Sequence, residues 1–250
     1  MKKAFLFALM LLRAVVWGGP HEAFKAGNAF YHKEQYAQAV AEYEKVLKSG
    51  QQSPDLHFNL GNAYYKLNKV GPAIYHYEKA IMLCPHDRDY KANLAFAQKM
   101  MIDEVRPDRR VGLEKAIAGF TGALSYNGWA VAAVLCSVFL FAGFAAYYFS
   151  RRAIYKRMFF VSMLIFAFGI AVTLGSAYAA RSIYQTEKPA IVFAAVASVK
   201  SEPKANSADA FVLHEGTKVF VLEELGNWSK IALADGTDGW MEKSTFKLLK

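Results

Sequence analysis

Asparagine recurs at Asn28 and Asn62, and again at Asn59 and Asn93, each pair 34 residues apart. A carboxamide carries N–H donors and a carbonyl acceptor. A column of them can therefore pair with the backbone of an extended chain without reading its side chains. Tyr31 and Tyr65 recur in the same register and supply apolar surface. The alternative is that these asparagines bond within their own repeat and shape its turns. Catalytic chemistry has no comparable pattern. Six histidines are present (His21, His32, His57, His76, His86 and His214), and none forms the i, i+4 pair with a glutamate that a metalloprotease helix uses. His57 and His76 fall on different helices, and a surface or groove role is expected for them. There is no glycine-rich phosphate loop and no Gly-x-Ser-x-Gly elbow. No enzyme activity, metal or cofactor is expected. Cys84 and Cys136 fall in different segments, so no disulfide is expected either.

The elements that must position the asparagines follow from the same period. A shift of 34 brings Gly27 onto Gly61, Ala39 onto Ala73, Tyr43 onto Tyr77 and Glu44-Lys45 onto Glu78-Lys79. This is the pattern of two antiparallel helices per repeat. Small residues let the helices approach, and Tyr43, Tyr77, Leu47 and Ile81 fill the space between them. Pro54 and Pro85 mark repeat boundaries. The segment Asp89–Asp103 reads as a final helix that covers the last open face. With Leu60-Gly61, Tyr64, Ala73, Tyr77, Ala80 and Pro85 at consensus spacing, residues 20–105 resemble the tetratricopeptide repeat (TPR) family. The resemblance implies a right-handed superhelix with a concave peptide-binding groove lined by Asn28, Tyr31, Asn59, Asn62, Tyr65 and Asn93. Some TPR domains grip a terminal carboxylate with added lysines. Here those positions hold Phe24 and Asp89, which argues against such a clamp.

Gly128–Phe149 and Met158–Ala180 carry no charge over 22 and 23 residues, and each is long enough to cross a hydrocarbon core. The net charge of +9 does not mark a nucleic-acid binder. Residues 20–105 hold ten basic and ten acidic side chains, and residues 187–250 hold eight and nine. The surplus sits beside the apolar segments, where it orients a membrane protein. Arg151, Arg152, Lys156 and Arg157 crowd the connection 150–157, which is therefore expected in the cytoplasm, with both soluble domains in the periplasm. Lys2 and Lys3 ahead of Ala4–Leu12 read as a signal peptide over 1–18, cleaved after Gly18, with an uncleaved anchor as the alternative. Ala171, Gly175 and Ala179 form a ridge of small residues that is expected to pack on the first span near Ala142 and Ala146. In the connection 106–127, Leu113, Ile117, Phe120 and Leu124 share one helical face and are expected to rest on the outer membrane surface.

Beyond residue 189 the period becomes two. Ile191–Val199, Val219–Leu222, Trp228–Leu233 and Gly239–Met241 are β-rich runs separated by glycine-containing turns. Some five short strands argue for a small barrel, with Trp228 and Trp240 expected in its core. Leu213–Val219, Gly226–Ile231, Asp235-Gly236 and Gly239-Trp240 make residues 189–250 resemble a bacterial SH3-like domain. The expected protein is thus multidomain: an α-helical TPR array, a two-helix transmembrane hairpin and a small all-β barrel. That order resembles the E component of the Bacteroides aerotolerance operon. The resemblance implies an inner-membrane stress-response protein working with von Willebrand A-domain membrane proteins and a MoxR-type ATPase. Two functions fit: a protein–protein scaffold acting through the groove, or a peptidoglycan-binding sensor acting through the SH3-like domain. The orientation is directly testable. A cysteine in place of Ser150 should resist a membrane-impermeant thiol reagent in cells with a permeabilised outer membrane, and one in place of Ser244 should react. The reverse labelling overturns it.

Overall fold

The computed structural model describes residues 19–104 and 112–250. The expected signal peptide over 1–18 and the basic residues Arg106, Arg109 and Arg110 lie outside the described residues. The described chain forms two compact units: one holds the N-terminal helices and the C-terminal β-domain, and the other is built from residues 109–187.

In the first unit, helices α1 (residues 19–32), α2 (Tyr36–Lys48), α3 (Pro54–Lys66), α4 (Val70–Leu83) and α5 (Arg88–Gln98) follow one another. Ser53 starts α3 by accepting from Leu56 N at 3.1 Å, with Pro54 in the first turn, and Asp87 starts α5 by accepting from Asp89 N and Tyr90 N. The turns inside the two repeats are copies. Glu34 and Asn68 both have positive φ (61° and 55°), and the next amides, Gln35 N and Lys69 N, donate to Phe30 O and Tyr64 O. Gly27 and Gly61 are required by packing. A Cβ on Gly61 would lie 2.7 Å from the Tyr77 ring, and Gly27 meets Tyr43 in the same way. Tyr43 and Tyr77 are 1% exposed and centre the two helical cores.

The expected last helix is shorter than its pattern. α5 stops at Gln98, and Asp103 leaves the helical register to meet the β-domain. That domain has seven strands: β1 (Pro189–Val192), β2 (Val196–Lys200), β3 (Asp209–His214), β4 (Lys218–Leu225), β5 (Trp228–Ala232), β6 (Asp238–Glu242) and β7 (Phe246–Leu248). They form one antiparallel sheet in the order β3-β2-β6-β5-β4-β1-β7. The run Ile191–Val199 is two strands, because β1 pairs with β4 and β7 while β2 pairs with β3 and β6. Val199, Val219, Val221, Ile231 and Met241 fill the interior.

The two soluble domains share a core. Ile191 and Leu249 from the β-domain are fully buried against Val70, Ala73, Ile74, Tyr77 and Ala97 of the helices. Asp103 accepts from His214 N at 2.7 Å and from Thr217 Oγ1, and sits 2.8 Å from His214 Nδ1. Burial would raise its carboxyl, but these bonds outweigh burial and hold it below the usual carboxylate value. Lys218 pairs with Glu78 at 2.8 Å, and Glu215 accepts from Gly71 N in the first turn of α4, which has no side-chain cap of its own.

The second unit contains α6 (Gly112–Thr121), α7 (Tyr126–Phe149) and α8 (Ala153–Thr186). α7 and α8 pack along their length with Phe139 stacked on Phe166 at 5.2 Å. Both are long and apolar enough to cross a membrane, and most of their surface is exposed. The expected small-residue ridge is corrected here. Ala171 and Gly175 are exposed, and a Cβ on Gly175 would meet nothing within 4 Å. The seam instead uses Gly169 against Cys136, Gly143 against Met163, and the buried Thr173 and Ser176. Ala179, half-buried, lies at its border. Four-residue spacing identifies a helical ridge, but Gly169, Thr173 and Ala177 form another at the same spacing, and α7 packs on that one. Arg151 and Arg152 occupy the connection, while Lys156 and Arg157 fall in the first turns of α8.

His57 and His76 are corrected as well. Neither is on the surface nor in the groove. They are 2% and 7% exposed between α3 and α4, with their Nδ1 atoms 3.0 Å apart and, among the described residues, no hydrogen-bond partner for His57 Nε2. Burial lowers His57 to about 4 and His76 to about 3, with Lys79 near His57, and His57 near His76, as further causes. The unfolded chain therefore takes up protons below about pH 6.5 that the folded one refuses. Stability is complete above that value and is lost as pH falls toward 4, by at most about 1.4 kcal/mol per pH unit for each histidine. Urea unfolding between pH 7 and 4 should show this slope, and the double variant His57→Leu, His76→Leu should flatten it.

Candidate functional site

The inner helices α1, α3 and α5 form one face of the array. The β-domain packs on α4 and leaves this face uncovered. Asn28, Asn59, Asn62 and Asn93 all lie on it, half-buried, and are joined in a repeating network. Tyr43 donates its hydroxyl to Asn28 Oδ1 at 2.7 Å, and Asn59 Nδ2 donates to the same oxygen at 3.0 Å. One repeat later Tyr77 donates to Asn62 Oδ1 at 2.7 Å, and Asn93 Nδ2 donates to it at 2.8 Å. Burial raises the Tyr43 hydroxyl to about 12 and raises that of Tyr77 too, so both remain donors.

The network is directional. Asn28 and Asn62 spend both oxygen lone pairs on the protein, which leaves their Nδ2 groups without a partner among the described residues. Asn59 and Asn93 spend one N–H each, which leaves their Oδ1 atoms open. Each linked pair, Asn28 with Asn59 and Asn62 with Asn93, thus offers a donor group and an acceptor group, the two that an extended backbone needs. The asparagines bond within the array and also keep polar capacity free. Both readings of their recurrence describe part of what they do.

A cavity of about 150 Å³ opens on this face, lined by Tyr31, Asn62, Tyr65, Lys66, Tyr77, Asn93 and Phe96. It brings together Tyr31, Tyr65, Asn62 and Asn93 of the expected site. Asn28 and Asn59 continue the network beside it. Phe96 and Lys66 were missed. Phe96 is the third member of the column Asn28, Asn62, so carrying the 34-residue register one step further would have found it. It is 54% exposed, with Lys99 Nζ 5.1 Å from its ring centre. Phe24, at one of the clamp-lysine positions, packs on Tyr43.

The β-domain holds a second surface. On β5 and β6, Ser229, Ile231, Gly239 and Met241 point inward. Trp228, Lys230 and Trp240 alternate with them and lie on the outer face, half-buried. This corrects the core assignment of both tryptophans. Trp240 is opposite Lys230 and Lys200, each of which is paired to a carboxylate, Asp238 and Asp209.

Comparison with known families agrees with this architecture. Residues 27–68 match a family described as TPR repeat, residues 54–87 match tetratricopeptide repeat, and residues 195–247 match bacterial SH3 domain. No curated protein matches the chain. The chain therefore combines a helical TPR region, two apolar helices and a C-terminal antiparallel β-domain of the bacterial SH3 type.

The network separates folding from display. Asn62→Ala leaves the buried Tyr77 hydroxyl without an acceptor and should cost about 1–3 kcal/mol. Asn93→Ala keeps the Tyr77–Asn62 bond and should cost less than about 1 kcal/mol. Urea unfolding of the two variants checks the difference, and equal losses would mean that the tyrosine bond does not organise the array.

Proposed function

We propose that the protein is a membrane-anchored, non-catalytic scaffold whose TPR face recruits a partner by holding an extended segment of it. The observation that carries this reading is the open donor left by Asn28 and by Asn62, and the open acceptor left by Asn59 and by Asn93, along one face. The β-domain docks on α4, away from this face, and stiffens the helices behind it. Tyr31, Tyr65 and Phe96 give the bound segment apolar contact.

The same packing supports the membrane arrangement. Two domains that share a core lie on one side of a membrane, and the two apolar helices between residues 104 and 188 return the chain to that side. Arg151, Arg152, Lys156 and Arg157 at the far end favour the cytoplasm there, which supports a periplasmic location for the helical and β-domains at the inner membrane. The aerotolerance-component resemblance names von Willebrand A-domain proteins and a MoxR-type ATPase as partners to look for. Asn62→Asp keeps the oxygens that Tyr77 and Asn93 need and removes the outward Nδ2 donor. Paired with Asn59→Ala, it should lower partner co-purification from native membranes by about tenfold, or about 1.4 kcal/mol, as counted by mass spectrometry. An unchanged set of bound proteins would refute the groove reading.

A second reading has its own observation. Trp228 and Trp240 lie outside the barrel core, where flat rings can stack on a ligand, as cell-wall binding would need. Full-length protein sedimenting with purified sacculi, and Trp240→Ala abolishing this, would favour it.

A further inference from the structure

We propose that α6 is an in-plane anchor whose ligand is the lipid–water interface at the outer end of the two apolar helices. The proposal rests on the reading that α7 and α8 span a membrane. Ile117 and Phe120, three residues apart on one face of α6, are 54% and 52% exposed, and Leu124 in the turn that follows is 37% exposed. Lys115, two residues and roughly 200° from Ile117, is exposed on the opposite face. A helix with one apolar and one charged side lies at the boundary between acyl chains and headgroups.

Its position is set by Trp129. This indole is 6% exposed and donates Nε1–H to Thr121 O, the last carbonyl of α6, at 2.8 Å. Phe120 packs on the same indole with ring centres 5.1 Å apart. Ser125 then starts α7 by accepting from Gly128 N. The end of α6 is thus fastened to the first turn of α7. Tyr126 and Tyr184 meet there, one from each long helix, with ring centres 5.6 Å apart. Tyrosine and tryptophan gather at the level of the headgroups, so this end of the helix pair marks an interface, and α6 ends at that level. Phe120 of α6 rests on Trp129 of α7, and Val131, Val134 and Leu135 just beyond it are exposed, so the apolar side of α6 runs into surface that faces lipid on the spanning reading, which makes lipid the occupant.

Single cysteines replacing Ile117, Phe120, Lys115 or Phe141, in full-length protein carrying Cys84→Ala and Cys136→Ala, can be labelled with an environment-sensitive fluorophore. The protein is then placed in phosphatidylcholine vesicles with brominated acyl chains. Labels at 117 and 120 should shift to the blue and lose about half or more of their emission to shallow bromines, while the label at 115 should behave as in water. Phe141, 73% exposed on α7, reports on the membrane reading itself. If 141 is quenched by deep bromines and 117 and 120 are not, the anchor is refuted and the spans stand. If 141 is not quenched, the spans fail. A blue shift at 117 and 120 without quenching means the face is covered by protein, which also refutes the proposal. Trp129→Phe, which removes the donor and keeps the ring, should weaken quenching at 120 by about twofold or more if the pin sets the position of α6. Unchanged quenching would refute the pin.

Discussion

The helical array depends on one interlock. A tyrosine from the outer helix of each repeat lies across a glycine of the inner helix and delivers its hydroxyl to the neighbouring asparagine. The glycine lets two backbones approach closely enough for the ring to be buried. The asparagine satisfies a hydroxyl that would otherwise be stranded in the core. It is then joined by the asparagine of the next inner helix, so the device that closes one repeat also fixes the spacing to the next. The polar face is a by-product of this packing. Once Asn28 and Asn62 have given both lone pairs inward, their amide hydrogens can only point elsewhere.

The second constraint is the docking of the β-domain on α4. A short array leaves its last outer helix with an apolar flank, and here Ile191 and Leu249 cover it. The polar contacts around this patch are made by groups that each domain would otherwise leave open: the first-turn amide of α4 and the backbone amide of His214. Such an interface makes the two soluble parts behave as one body, so the inner helix face and the outer tryptophan face are held in fixed relation.

The period of 34, the glycine–tyrosine coincidences and the two uncharged runs were legible directly, because each is a property of residues close in sequence. The repeat boundary at Pro54 and the change to a period of two near residue 189 belong to the same class. The column of asparagines was legible too, since one register places all four on one face. What the period could not give was their direction of bonding, which needs Tyr43 and Tyr77 from another helix.

Everything that depends on distant residues was decided by the tertiary structure. α5 ends at Gln98, and Asp103 beyond it accepts from His214 N and Thr217 Oγ1 in a segment more than a hundred residues away. His57 and His76 are buried because two helices close over them. Gly175 faces outward because Gly169 meets Cys136 on the facing helix. Trp228 and Trp240 lie outside because the pleat assigns Ser229 and Met241 to the interior, and a pattern of period two defines two faces without saying which is inside. Local periodicity therefore determined the elements and their repeated faces. The choice among faces required knowing what packs against them, information carried only by contacts between segments remote in the chain.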